Sequence, residues 1–166
     1  MSKKIALTAL FTSFGIVLSY IETFIPIVGI PGVKLGLANL VIMLSLYLFG
    51  IREAFCINLI RILLSGFMFA NIFSIIYSLA GAFVSFIVMV IAKKQGLSMV
   101  TVGILGGVFH NVGQIVVASF VVETYSVYSY IPVLIISGMI TGTVIGVLSF
   151  LIKKRAGKYI RKMCKE

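Results

Sequence analysis

The chain has 166 residues, of which 61% are hydrophobic and 11% charged, with a formal net charge of +10 and a mean hydropathy of +1.22. A water-soluble domain of this length cannot hide that much apolar surface, because its own surface stays large relative to its volume, so the apolar segments need lipid as solvent. With no aspartate and only four scattered glutamates, the chain also lacks the carboxylate cluster with which Mg²⁺-diphosphate enzymes hold hard cations.

An apolar helix needs about 20 residues to cross a ~30 Å hydrocarbon core. On that measure the first span is Ile5–Ile21, preceded by Lys3 and Lys4. Basic residues before an apolar run also open secretory signals, but no small-residue cleavage site leads into a polar region, so this is read as a retained helix. Pro26, Gly29, Pro31 and Gly32 break the chain before a second span, Leu35–Phe49. The tight link Gly50-Ile51-Arg52-Glu53 leads to a third, Ala54–Phe69, and the remaining spans are Ile72–Ala92, Val100–Val122 and Ile131–Ile152. Pro132 opens the last, where its missing N–H does no harm.

Six spans with both termini on one side place Lys3, Lys4, Arg52, Lys93, Lys94 and all seven basic residues of 153–166 together, twelve of the fourteen in the chain. By the positive-inside rule that side is cytoplasmic. The expectation is an all-α, polytopic bacterial inner-membrane protein: a single six-helix transmembrane domain, 1–152, and a basic cytoplasmic tail, 153–166. A basic tail just beyond a span faces anionic membrane lipid, and no nucleic-acid role is read from it. Cys56 and Cys164 are too far apart in sequence and setting to define a disulfide framework or a metal site.

Arg61 is the most expensive residue in this arrangement. At bilayer depth an arginine costs at least ~2.5–3.5 kcal/mol, so it belongs against a protein interior or a polar cavity, with a partner. Spacings of three and four put Asn58, Arg61 and Ser65 on one helix face. On the fourth span Asn71, Ser74 and Ser78 share a stripe with Tyr77 adjacent. The fifth carries the chain's only histidine, His110, with Gln114 one turn further on the same face and Asn111 beside them. Asn39 lies in the outer half of the second span and Ser137 in that of the sixth. For Ser74, Ser78 and Ser137 the plain alternative is a hydrogen bond to a neighbouring helix, worth roughly 0.6 kcal/mol.

Most of these polar groups fall between the midplane and the outer surface, which describes an outward-facing cup with the Glu22–Lys34 connection as its lid. Glu53 is eight residues from Arg61, about 12 Å along a helix, and Glu22 and Glu123 are assigned to outer connections. With no protein carboxylate placed to neutralise Arg61, the expected counter-charge is that of an anionic ligand. Gly103 and Gly107 form one small-xxx-small series and Gly138, Gly142 and Gly146 another, the signature of close helix packing. There is no Walker A run, Rossmann fingerprint, CxxC or HExxH motif, and no acidic member to complete a Ser/His/Asp triad. No catalysis, cofactor or metal is expected of this chain alone.

The segments PGVKLGLANL (Pro31–Leu40), RILLSGFMFAN (Arg61–Asn71), YSLAG (Tyr77–Gly81) and GGVFHNVGQ (Gly106–Gln114) resemble the bacterial Gx transporter family, whose members also carry the label heptaprenyl diphosphate synthase component I. The resemblance covers nearly the whole chain. That family is grouped with the substrate-binding S components of energy-coupling factor (ECF) importers, six-helix membrane proteins that work with a transmembrane coupling (T) subunit and two ATPase subunits. It implies that the Glu22–Lys34 connection caps the substrate and that the outer halves of the later spans line the pocket; read from the residues themselves, the expected substrate site is Arg61, His110, Asn111, Gln114, Asn39, Asn71 and Tyr77, with Lys34 on the cap. It also implies a coupling-subunit surface on the first helix, where small residues four apart are usual. Here Ala6 is followed by Leu10, and the nearest match is Ala9 with Ser13. The component I label implies a different role, a non-catalytic accessory subunit of a prenyl diphosphate synthase.

Overall fold

A computed structural model of the chain describes residues 2–24, 36–70, 72–122 and 129–165. Among them are six α-helices: α1 (Ser2–Thr23), α2 (Leu37–Leu48), α3 (Ile51–Phe69), α4 (Ile72–Lys94), α5 (Met99–Val122) and α6 (Ile131–Lys165). Lys3–Thr23, Ile72–Lys94, Met99–Phe120 and Ile131–Ile160 are long and apolar enough to cross a membrane, and the chain is a multi-pass membrane protein.

The other two helices differ from the sequence expectation in instructive ways. Gly36 adopts a left-handed φ of 71°, a conformation cheap only for glycine, so α2 begins at Leu37 and keeps 12 residues. That is about 18 Å of helix, short of the hydrocarbon thickness. Gly50, at φ 111°, turns the chain directly into α3, which absorbs Arg52 and Glu53 into its first turn. At the far end, the basic residues after Ile152 continue α6 to Lys165 instead of starting a new element. The connection expected to act as a lid lies, from residue 25 to 35, outside the described residues.

The helices pack as a ring: α1 on α3, α3 on α4, α4 on α5, α5 on α6, and α6 back through α2 to α1. Short as it is, α2 is mostly apolar and largely buried, as suits a helix enclosed by others. Its Met43 and Leu46 meet Ile57 of α3, Phe86 and Met89 of α4, Val102 of α5 and Ile145 of α6 in the main core. Outside this core, Ile5, Phe14, Phe67, Phe83, Phe120 and Ile140 stay exposed, which in lipid carries no hydrophobic cost.

Glycines set the tightest joint. A Cβ on Gly103 would stand 2.4 Å from the Gly142 carbonyl oxygen, and one on Gly107 would stand 2.4 Å from that of Gly138. The two small-residue series therefore face each other, as their spacing led one to expect, and bring α5 and α6 into backbone contact. A further pair escaped the sequence reading: a Cβ on Gly113 of α5 would lie 2.9 Å from the Gly81 Cα of α4.

Lys4, in the first turn of α1, pairs with Glu53, in the first turn of α3. The hydrogen bond from Lys4 holds the Glu53 carboxyl below its ordinary range. A carboxylate with a lowered folded pKa adds stability above its unfolded pKa and loses it as pH falls through the folded value. Because the pair is partly exposed, that contribution is under about 1 kcal/mol. The melting temperature of Glu53→Gln is therefore expected to fall slightly below wild type at neutral pH and to converge with it in acid.

Candidate functional site

The site begins with a missing side chain on α1. A Cβ on Gly15 would come within 3.0 Å of Arg61 Cδ and 3.3 Å of Cγ, so this glycine leaves the channel through which the arginine stem passes. The guanidinium is then held from two helices. Nη1 donates to Ser19 Oγ of α1 at 3.2 Å, and Nη2 donates to Asn58 Oδ1 of α3 at 2.8 Å. Arg61 is 8% exposed. Its Nε–H is buried and has no hydrogen-bond partner among the described residues. An arginine so placed has both its position and unused donor capacity fixed by the fold.

Arg61 forms one wall of a cavity of about 110 Å³ at the end of the bundle where α1 and α3 finish. Asn39 enters it from α2, Ser65 from α3, Ser74 and Ser78 from α4, and His110, Asn111 and Gln114 from α5. The side chains singled out on four separate helices are thus gathered around one polar space. Gly81 positions two of them. A Cβ there would stand 2.6 Å from the His110 carbonyl oxygen and 2.7 Å from Gln114 Cγ, so α4 can approach only because that atom is absent. Asn111 has a structural duty as well: its Nδ2 donates to the Leu134 carbonyl of α6 at 2.7 Å.

Several expectations change. Tyr77 is half-buried but is not among the residues lining the cavity; Ser74, three residues before it, and Ser78, the next residue, are. Lys34 and Asn71 lie outside the described residues. Ala6, Ala9 and Ser13 are exposed on α1, far along the helix from the cavity.

The largest correction concerns Glu22. Read as part of an outer connection and poorly placed for Arg61, it belongs to α1, which continues to Thr23, and it lines the same cavity as Arg61. Its Oε1 accepts the Leu37 N–H at 2.6 Å, fastening the end of α1 to the first turn of α2. A protein carboxylate is therefore present in the cavity. Its negative charge acts on Arg61, whose Nη1 and Nη2 bond to Ser19 and Asn58. The sequence carried a signal for this face: Thr12, Gly15, Ser19 and Glu22 recur at helical spacing along α1.

The arrangement offers one permanent cation, one carboxylate already engaged by a backbone amide, three side-chain amides and an imidazole. These groups can orient and hold a small polar molecule. Among the described residues no group of three His, Cys, Asp or Glu side chains could hold a metal. Behind Asn58 and Ile62, between α3 and α4, a separate cavity of about 260 Å³ is lined almost wholly by apolar residues, including Phe55, Leu79 and Phe83.

A family model described as heptaprenyl diphosphate synthase component I matches residues 11–152. No curated protein and no solved structure matches the chain.

Proposed function

The chain belongs to the heptaprenyl diphosphate synthase component I family, and from that membership and the geometry of its cavity we propose that it is the substrate-binding membrane component of an importer of the energy-coupling factor type. In this reading it takes up a small water-soluble molecule bearing a negative group from outside the cell. Both termini are cytoplasmic and the helices make six crossings, as the distribution of basic residues favours. The observation that carries the proposal is Arg61, a buried guanidinium positioned by Ser19 and Asn58, which lines a polar cavity and keeps an unbonded Nε–H.

A negative group on the ligand completes Arg61, while Asn39, His110 and Gln114 read its remaining hydrogen-bonding edges. Glu22, held by the Leu37 amide, anchors the start of α2 beside the ligand. Energy would come from partner subunits, a membrane coupling protein and two ATPases, with the exposed Ala6, Ala9 and Ser13 on α1 as the docking face. The family's description favours a second reading, a non-catalytic membrane subunit associated with a heptaprenyl diphosphate synthase.

Native mass spectrometry of gently purified protein separates the two. The importer reading expects a small polar molecule retained by the protein and coupling subunits among its partners. A stable complex with a soluble prenyl synthase, and no small molecule, would overturn it in favour of the second.

A further inference from the structure

The seam between α3 and α4 is closed at two levels and open between them. Beside the polar cavity, a Cβ on Gly66 would stand 2.2 Å from Ile75 Cγ1, so the helices lie in close contact there. Further along, the rings of Phe55 and Phe86 pack with their centroids 5.6 Å apart. Eleven residues separate the two contacts on each helix, about 16 Å of rise, so the antiparallel pair keeps one register from the first contact to the second. Between them lies the apolar cavity of about 260 Å³. Ile62, Ala82 and Asn58 line it and are buried, which makes them its floor. Leu59 and Phe83 also line it and are 39% and 59% exposed, which puts them at its mouth. In the shared register Ala82 falls opposite Leu59, and the smallness of that alanine leaves the space.

Depth and chemistry restrict what fills this slot. Phe83 is the central residue of α4, a helix long and apolar enough to cross the membrane. The slot therefore lies at the level of the acyl chains, and its mouth is continuous with the surface that the protein presents to lipid. Water is a poor occupant, because a buried water needs two to four polar partners. The slot offers one polar side chain, Asn58, whose Oδ1 already accepts from Arg61 Nη2. Close-packed interiors leave few voids larger than a water molecule, and an apolar cavity of ~150 Å³ is enough to take up a benzene-sized guest. Hydrocarbon is the occupant that fits.

We propose that the slot between α3 and α4 is a binding site for one acyl chain of a membrane lipid, recognised by its hydrocarbon and not by its headgroup. The chain fills the gap above Ala82 and completes the contact between the two helices. This site does not depend on what the polar cavity binds.

The experiment uses the full chain in a steroid-based detergent, which carries no acyl chain. The probes are dioleoylphosphatidylcholine and dioleoylglycerol, which share their chains, differ in headgroup and have no net charge for the basic pole to select. Retention is read by native mass spectrometry after detergent exchange, and stabilisation by thermal melting. Wild type is expected to retain one molecule of either probe to a similar extent and to melt higher with it. Ala82→Leu fills the slot from its floor and is expected to weaken retention roughly tenfold, since the chain loses the burial of several methylenes. Without lipid the same variant should melt at or above wild type, because it closes a void. Leu59→Trp lays a larger side chain over the mouth from an exposed position and should also weaken retention. It carries the test if Ala82→Leu does not fold. Ile140→Trp, on an exposed face of α6, should retain lipid like wild type.

Equal retention by wild type, Ala82→Leu and Leu59→Trp overturns the proposal, as does an equal loss in Ile140→Trp, which would mean unselective lipid on the outer surface. Retention of one probe and not the other overturns it in favour of a headgroup site, and a wild type that keeps neither probe overturns it outright. A dimer that Ala82→Leu takes apart would assign the slot to a second copy of the chain. None of these outcomes bears on the molecule held by Arg61, which is read at its own mass.

Discussion

Arg61→Met is expected to leave the bundle folded, with a melting temperature equal to or above wild type, and to abolish ligand retention. The two halves of this result have separate causes. Removing a buried charge together with its desolvation cost, and filling its space with an apolar chain, is often neutral or stabilising. Ser19, which loses its bond from Nη1, can turn back to a helix carbonyl, while Asn58 keeps the polar edge of its own face. Ligand binding has no such substitute. With the guanidinium gone, the ligand's negative group would enter a cavity whose one described carboxylate, Glu22, repels it. The loss is on the order of 3 kcal/mol, about a hundredfold in affinity.

Arg61→Lys is the sharper companion. A single ammonium cannot hold Ser19 and Asn58 while presenting a further donor to the cavity, so it should lose roughly tenfold or more in affinity despite keeping the charge. The measurements are the mass of the retained molecule and its effect on melting. Wild-type retention by Arg61→Met would remove Arg61 from the site.

Gly142→Val should prevent accumulation of folded protein. A Cβ at Gly142 would stand 2.4 Å from the Gly103 carbonyl oxygen and 2.7 Å from the Ile104 Cα. Both are backbone atoms, so no rotamer change relieves the overlap. The helices must part along the seam where Gly103, Gly107, Gly138 and Gly142 meet. That loses van der Waals packing, which is the main force joining helices in lipid, and costs on the order of 3 kcal/mol. Because α5 also carries His110, Asn111 and Gln114, whatever folded protein remains should bind ligand poorly. Val144→Leu, two residues away on an exposed face, is the control and should melt like wild type. If Gly142→Val melts within about one degree of wild type, the α5–α6 contact is wrong.

Reading from particular residues, the sequence was most informative where chemistry was costly. Arg61 could be placed inside the protein because lipid leaves it nowhere else to go, and its spacing from Asn58 anticipated the hydrogen bond between them. The glycine series on α5 and α6 likewise announced a close approach, since residues without side chains have little other use at four-residue intervals. The same reasoning failed for Tyr77 and Glu22. Helical spacing says which residues share a face but not which face looks inward. In a membrane both the lipid side and the buried side are apolar, so the amphipathic contrast that orients a helix in a soluble protein is nearly absent. Glu22 was misplaced by two residues of helix: α1 continues to Thr23, and that extension turns the carboxylate into the cavity instead of leaving it on a connection.

Composition and hydropathy pattern therefore established a helical chain solvated by lipid and the need for a buried setting around Arg61, because both follow from transfer energies that hold whatever the neighbours are. The tertiary structure decided the rest. It shows α2 as a short enclosed helix, α6 as one continuous helix, Ser19 and Glu22 as members of the cavity, and Lys93 and Lys153 both against the Tyr47 ring. These depend on how helices rotate and lean against each other, which is set by contacts between residues far apart in sequence, such as Gly15 with Arg61 and Gly81 with His110. No local pattern of residues records them.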